Sequence, residues 1–207
     1  MGELRLSRVF TNLLMADLIT LAQYKEAEGL SNPKDDLRLQ SIIPAISQLV
    51  KTYCGNSIID FFSTNKVEEF NIDWSTYLVQ LTESPVNAIV SVEKRDSVTG
   101  SYTTVPTTEY YLDKKTDSVL YVAGSGYKNW PRGVAAVKVT YTAGYSSTPT
   151  DLRLAVNDLV TYYFKREHKE RRTLGGATIQ NQGTTSLPDA VSFPDHIKRV
   201  LDLYKNF

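Results

Sequence analysis

The sequence predicts an α+β protein. The expected architecture is a helical bundle of about three to four helices with an inserted antiparallel β-sheet or small sandwich, plus an extended C-terminal arm. Three observations carry this. Apolar residues recur at helical spacing over 34–54 and again from 150 onward. Between them, residues 57–145 hold short runs rich in Val, Ile, Thr, Tyr and Phe, separated by turn residues. A Gly-, Asn-, Gln-, Ser- and Thr-rich stretch then sets a last short amphipathic segment apart from the second long helix.

Residues 1–18 read as an N-terminal arm. The next segment, 20–28, is a short helix capped by Thr20 and stopped by Gly29, and Asn32-Pro33 makes a turn. A longer helix over 34–54 starts near Lys34 or Asp35. It places Leu39, Ile42, Ile43, Ile46, Leu49, Val50 and Tyr53 on one broad stripe. Asp35 and Asp36 suit its positive end. Pro44 is expected to kink or break it, and Gly55-Asn56 to end it. Strands are expected at Ile58–Phe62, Tyr77–Leu81, Ile89–Lys94, Tyr110–Leu112, Val119–Val122 and Val134–Tyr141, with a hairpin turn over Asp96 to Gly100. Beyond Pro149, Thr150 is placed to cap a helix over 150–172, about 33 Å long if helical throughout. Its apolar face ends at Phe164, and the charged run from Lys165 to Arg172 projects past the body. Residues 173–193 form a linker able to span about 70 Å when stretched. A final helix follows, with Ser192 as cap, Pro194 in its first turn, and Ile197, Val200, Leu201 and Tyr204 on its apolar face.

Composition narrows the functional classes. The 207 residues balance 23 Lys and Arg against 23 Asp and Glu, which argues against a dedicated nucleic-acid binder. Cys54 is the sole cysteine, so no intrachain disulfide forms; it reads as a small buried residue near a helix end. No signal peptide is evident, since Asp17 interrupts the apolar segment from Leu13 to Leu21. No apolar run approaches the ~20 residues needed to cross a bilayer, so no membrane partner is expected.

Catalytic chemistry finds no foothold in the pattern. His168, His196 and Cys54 have no zinc-site spacing and form no evident nucleophile pair. Asp35-Asp36 and Glu68-Glu69 are adjacent carboxylates, whose side chains point apart. Gly124-Ser125-Gly126 and Gly175-Gly176 fit no phosphate-binding loop. The reading is therefore catalytic residues none, metal none, cofactor none. Two features remain. The run 165–172 carries five Lys or Arg against two Glu: a solvated helix terminus, or a basic surface for an acidic partner or DNA phosphate. The last helix is too short to stand alone in water and needs a surface, its own body or another subunit.

The stretch Val137-Lys138-Val139-Thr140-Tyr141-Thr142-Ala143-Gly144-Tyr145, then Pro149, then Asp151-Leu152-Arg153-Leu154-Ala155-Val156 and on to Tyr162-Tyr163-Phe164-Lys165-Arg166-Glu167, resembles the head–tail connector (adaptor, head completion) proteins of tailed bacteriophages. Ser84-Pro85-Val86, Ile89-Val90-Ser91-Val92, Tyr111-Leu112-Asp113 and Trp130-Pro131-Arg132-Gly133 carry the same pattern, over roughly residues 20–170. The resemblance implies a structural virion protein, not an enzyme, made in the host cytoplasm and placed in the neck. It implies a dodecameric ring that binds the portal after packaging, extends the channel for the viral DNA without reading its sequence, and gives stopper or tail proteins a platform.

On this reading the chain divides into an arm 1–18, an adaptor core 19–172 with the β insertion 57–145, and a linker with docking helix 173–207. Lys165, Arg166, Lys169, Arg171 and Arg172, with Ile197, Val200, Leu201 and Tyr204, are the expected portal-docking residues. The competing readings are a stopper or tail terminator, and a carbohydrate- or surface-binding module using Trp74 and Trp130 of the aromatic sheet.

Overall fold

The structure, a computed structural model, describes residues 15–165, 172–174, 177–179 and 193–205. Helices α1 (Leu21–Ala27), α2 (Asp36–Cys54), α3 (Thr150–Phe164) and α4 (Asp195–Leu201) form the body, and a 3-10 turn over Asp202–Tyr204 extends α4. Between α2 and α3 lie strands β1 (Lys66–Ile72), β2 (Leu78–Gln80), β3 (Val86–Lys94), β4 (Thr103–Thr104), β5 (Tyr110–Asp113), β6 (Ser118–Ala123), β7 (Gly126–Tyr127) and β8 (Gly133–Ala143). Strands β9 (Arg172–Leu174) and β10 (Ala177–Ile179) pair as a small separate hairpin. The mixed α+β class therefore holds, with two antiparallel sheets inserted into a helical bundle.

The helices form where their apolar stripes meet. Thr20 caps α1 through a reciprocal pair, its hydroxyl accepting from the Gln23 N–H while Gln23 Oε1 accepts from the Thr20 N–H. In α2, Leu39, Ile43, Ile46 and Val50 are buried, and Gly55 closes the helix in the left-handed region at φ 65°. Pro44 does not break α2: it lies on the exposed side of the helix, as does Gln40, whose carbonyl loses its usual helical donor to the proline. These side chains join Leu18, Ile19, Tyr24, Ile58, the α3 stripe from Leu152 to Val160, and Phe193, Ile197 and Leu201 in one core.

The strands make a sandwich with its own core. The first sheet runs β1–β8–β3–β4, and the second runs β2–β6–β5 with β7 paired to the far end of β6. Val137, Val139 and Tyr141 of β8 face Val119 and Tyr121 of β6 across a layer that also holds Val79, Val86, Val92 and Trp130. Trp130 stacks on Tyr121 at 4.3 Å between ring centres.

Several expectations are corrected. Ile58–Phe62 is not a strand: Ile58 sits at φ 69°, with its N–H donating to Asn56 Oδ1, and the segment turns beneath the sheets. There the two halves meet. The Tyr145 N–H donates to the Ile58 carbonyl at 2.8 Å and the Ala143 N–H to that of Phe61 at 3.0 Å. Gly144, at φ 90°, has no room for a Cβ, which would run into the Ile58 carbonyl. Strand β1 was absent from the expected set, because Glu68 and Glu69 dilute its alternation. The helix expected over 150–172 ends at Phe164, where its core-facing residues also end, and Arg172 opens β9. Pro149 rather than Thr150 caps α3, and Pro194 rather than a first-turn residue caps α4. The expected linker contains the β9–β10 hairpin. The expected arm 1–18 overlaps the core at Leu18, which is buried; residues 1–14 and Ser192 lie outside the described residues.

Candidate assembly interface

Of the basic residues singled out from the sequence, Lys165 and Arg172 fall among the described residues. Lys165 is the exposed C-cap of α3, its N–H donating to the carbonyls of Thr161 and Tyr163. The Arg38 guanidinium donates to the neighbouring Phe164 carbonyl and stacks 4.5 Å from its ring centre. Arg172 lies in the backbone of β9, and Arg166, Lys169 and Arg171 lie outside the described residues.

The expected docking face of the last helix is corrected. Ile197 and Leu201 are buried in the chain's own core, and Val200 and Tyr204 pack against it. Polar staples fix the arrangement. Tyr53 Oη donates to Asp202 Oδ1 and Tyr204 Oη to Asp151 Oδ1, both at 2.6 Å, while Cys54 Sγ lies 3.6 Å from the Leu201 carbonyl. The Tyr204 hydroxyl holds the Asp151 carboxyl below its ordinary range. Burial, then the Asp202 hydrogen bond and charge, raise the Tyr53 phenol to about 12. Burial also pushes the Cys54 thiol up to about 11, so this cysteine is an inert filler of the core. A lone α4 would be marginal, and a preformed apolar shelf on α2 and α3 is the nearest place to bury it.

Two ion-pair clusters escaped sequence reasoning, because no local pattern marks Lys51, Asp60 or Glu83 as buried. Lys51 and Asp60 pair at 2.7 Å with side chains only 3% and 2% exposed. They hold the incoming chain at Ala16: Lys51 Nζ donates to its carbonyl, and its N–H donates to Asp60 Oδ1. At the junction, Glu83 Oε2 accepts from the Ser57 N–H and hydroxyl, while Lys66 pairs with Glu83 at 2.7 Å and Glu68 at 3.0 Å. These clusters orient the halves and offer little to a partner.

The surfaces left for a partner lie elsewhere. A groove of about 710 Å³ runs between α1 and α3, lined by Gln23, Ala27, Asp151, Arg153 and Leu154 among others. Asn157 lines it too, and its Oδ1 is buried with no hydrogen-bond partner. The outer face of the first sheet mixes exposed Val67 and Val90 with polar residues. With Val137, Val139 and Tyr141 turned inward, β8 shows Lys138, Thr140 and Thr142 to solvent. Lys138 stands between Glu69 of β1 and Glu93 of β3 and pairs with Glu93.

On the second sheet, Val119 and Tyr121 are inward, so Leu120 and Val122 face out. Leu120 lies between Leu78 of β2 and Tyr111 of β5, and Val122 opposite Tyr127 of β7. Tyr111 is 61% exposed and Tyr127 is 66% exposed, the latter stacked on Tyr77 at 4.3 Å. Of the two tryptophans weighed for carbohydrate binding, Trp74 is exposed, but Trp130 is buried in the sandwich core and offers no ring to a sugar.

Known proteins share this architecture. A chain from the neck of an empty gene transfer agent particle matches with a TM-score of 0.58 and 17% identity, covering 92% of this chain and 90% of its own. One from the neck of a native particle computed with C12 symmetry matches at 0.54 and 15%, covering 93% and 94%. In sequence, the head completion protein of Escherichia phage T5 is 25% identical over 147 residues, 62% of this chain and 84% of that protein. The family model described as head completion protein matches residues 17–207, helical body and sandwich together, and the chain belongs to that family.

Proposed function

We propose that this protein acts as an adaptor ring: copies assemble on the portal after DNA packaging, prolong the channel through which the viral DNA passes, and present a platform to stopper or tail proteins. The role is structural, without catalysis, cofactor or metal. The observation that carries this reading is the family match, which spans both halves of the molecule rather than one module. The fold shared with chains from particle necks, one of them computed with C12 symmetry, supports a ring, and twelve copies is the number we propose. A ring of identical chains needs two different complementary faces on each.

The basic run remains the proposed portal contact, with Lys165 exposed where α3 leaves the body. Arg166, Lys169, Arg171 and Arg172 would add positive charge next to it in the chain, suited to an acidic portal surface or to DNA phosphate. Co-sedimentation of the purified protein with DNA-filled, tail-less heads of the source phage, followed by electron microscopy, tests the reading. Added density at one vertex supports it. A folded protein that never joins heads overturns it. Charge reversal at Lys165 and Arg166 should weaken binding and reduce its salt dependence; binding insensitive to both changes removes the portal contact from this run.

A further inference from the structure

We propose that residues 1–14 of one copy dock into the groove between α1 and α3 of the next copy in the ring; this rests on the ring reading above. The sequence of this arm suits the task. Leu6, Val9, Phe10 and Leu13 fall at i, i+3, i+4 and i+7, the stripe of an amphipathic helix. At 3.6 residues per turn, Arg5 borders that stripe on the Val9 side and Glu3 on the Phe10 side. So short a helix is marginal in water and forms when it meets a surface.

The groove matches the arm in length, charge and hydrogen bonding. It follows α3 from Thr150 to Asn157, and the stripe runs from Leu6 to Leu13, about 10 Å of helix in each case. Leu154 stands in the groove 63% exposed, outside the core of the body. Glu26 on the α1 wall and Arg153 on the α3 wall have no ion-pair partner among the described residues. Arg5 and Glu3 flank the stripe as Glu26 and Arg153 flank the groove, with the opposite charges. Asn157 is 7% exposed, and its Oδ1 has no donor among the described residues. A buried acceptor is rarely left unpaired. The arm brings donors in the Arg5 guanidinium and in the free N–H groups of a helix's first turn.

The occupant is a neighbour's arm rather than the chain's own. The Lys51–Asp60 pair clamps the backbone at Ala16, and Met15 shares a recess with Gln48 and Thr52 of α2. From that clamp the chain runs through buried Leu18 and Ile19 directly into α1. Its own arm would have to double back over this segment to reach the groove. An arm leaving beside α2 and a groove between α1 and α3 are the two unlike faces that a closed ring requires.

The test mixes full-length Val9→Cys protein with full-length Leu154→Cys protein on DNA-filled, tail-less heads and adds a short bismaleimide. Cys54 is buried and does not compete for the reagent. The expected product has twice the subunit mass and joins position 9 to position 154, and neither protein alone gives it. A chain carrying both cysteines that closes only on itself, a link to a head protein in place of the dimer, or no product overturns the inference while head binding still stands. Wild-type protein that never binds heads overturns the adaptor reading and this inference with it. Arg5→Glu added to the first protein alone, or Glu26→Arg added to the second alone, should cut the yield about tenfold, and the two together should restore it. A yield untouched by the single exchanges, or not restored by the pair, also overturns the proposal.

Discussion

The sandwich draws its core from one continuous stretch, Ile72 to Ala143, whereas the helical body gathers its core from three: Leu18 to Ile58, Leu152 to Val160, and Phe193 to Leu201. The two halves therefore depend on different kinds of contact. Neighbouring strands of the sandwich follow one another closely in sequence, as in β5–β6 and β6–β7, although β1–β8 and β3–β8 close longer loops. The body is completed only when α4, at the far end of the chain, lands on α2 and α3. It also relies on Lys51 and Asp60 to hold the segment leading into α1. A local unit can be inserted between two helices without disturbing their packing, provided the junction is rigid. Gly144, Ile58 and the Glu83 cluster supply that rigidity.

The comparison can be probed with two signals. Both tryptophans lie in the β insertion, and Trp130 is buried there, so fluorescence follows the sandwich while far-ultraviolet dichroism follows the helices. The largest effect is expected from Lys51→Met, which leaves the Asp60 carboxylate buried and unpaired. It should cost about 3–5 kcal/mol in denaturant unfolding, mainly in the dichroism signal. A loss below 1 kcal/mol would mean that water reaches the pair. Leu201→Ala should cost about 3 kcal/mol by opening a cavity under α4, again with dichroism leading fluorescence. Coincident shifts of both signals would show that the halves unfold as one unit.

Gly144→Ala acts at the junction, where the added methyl meets the Ile58 carbonyl at a positive φ. It should cost about 2 kcal/mol and move both signals together; a shift in one alone would place the coupling elsewhere.

The smallest effect belongs to Tyr204→Phe, about 1 kcal/mol for one lost hydrogen bond. Its sign with pH follows from Asp151, whose folded pKa lies below its ordinary value of 3.8. That contribution is fully present above the unfolded value and is lost as pH falls through the folded one. The difference between wild type and variant should therefore shrink in acid below about pH 4. A difference that stays constant from pH 6 to pH 2 would remove Asp151 from the account.

Periodicity made α1, α2 and α3 legible in the sequence, and β-branched alternation did the same for β3, β5, β6 and β8. Their residues act on near neighbours, and a pattern of 3.6 or 2 is visible within one window. Strand β1 was hidden because charged residues stand on both its faces, Lys66 and Glu68 on one and Glu69 on the other, and its register is set by β8, far along the chain. Ile58–Phe62 has strand composition yet becomes the rigid junction between the halves, since Ile58 takes a left-handed turn that no local propensity favours. The apolar face of α4 was evident, but its choice of the chain's own body over a neighbour was not. That choice depends on Tyr53, Cys54 and Asp151 being brought together from other segments.

By itself the sequence determined the α+β class, the place of the insertion, the buried stripes and the likeness to phage neck proteins, all of which rest on local pattern or on motif. Tertiary structure alone decided which apolar faces are used up inside the chain and which remain for a partner. Burial is a property of opposed surfaces: Leu201 and Leu120 are the same residue type, yet one lies beneath a helix and the other looks out from a sheet.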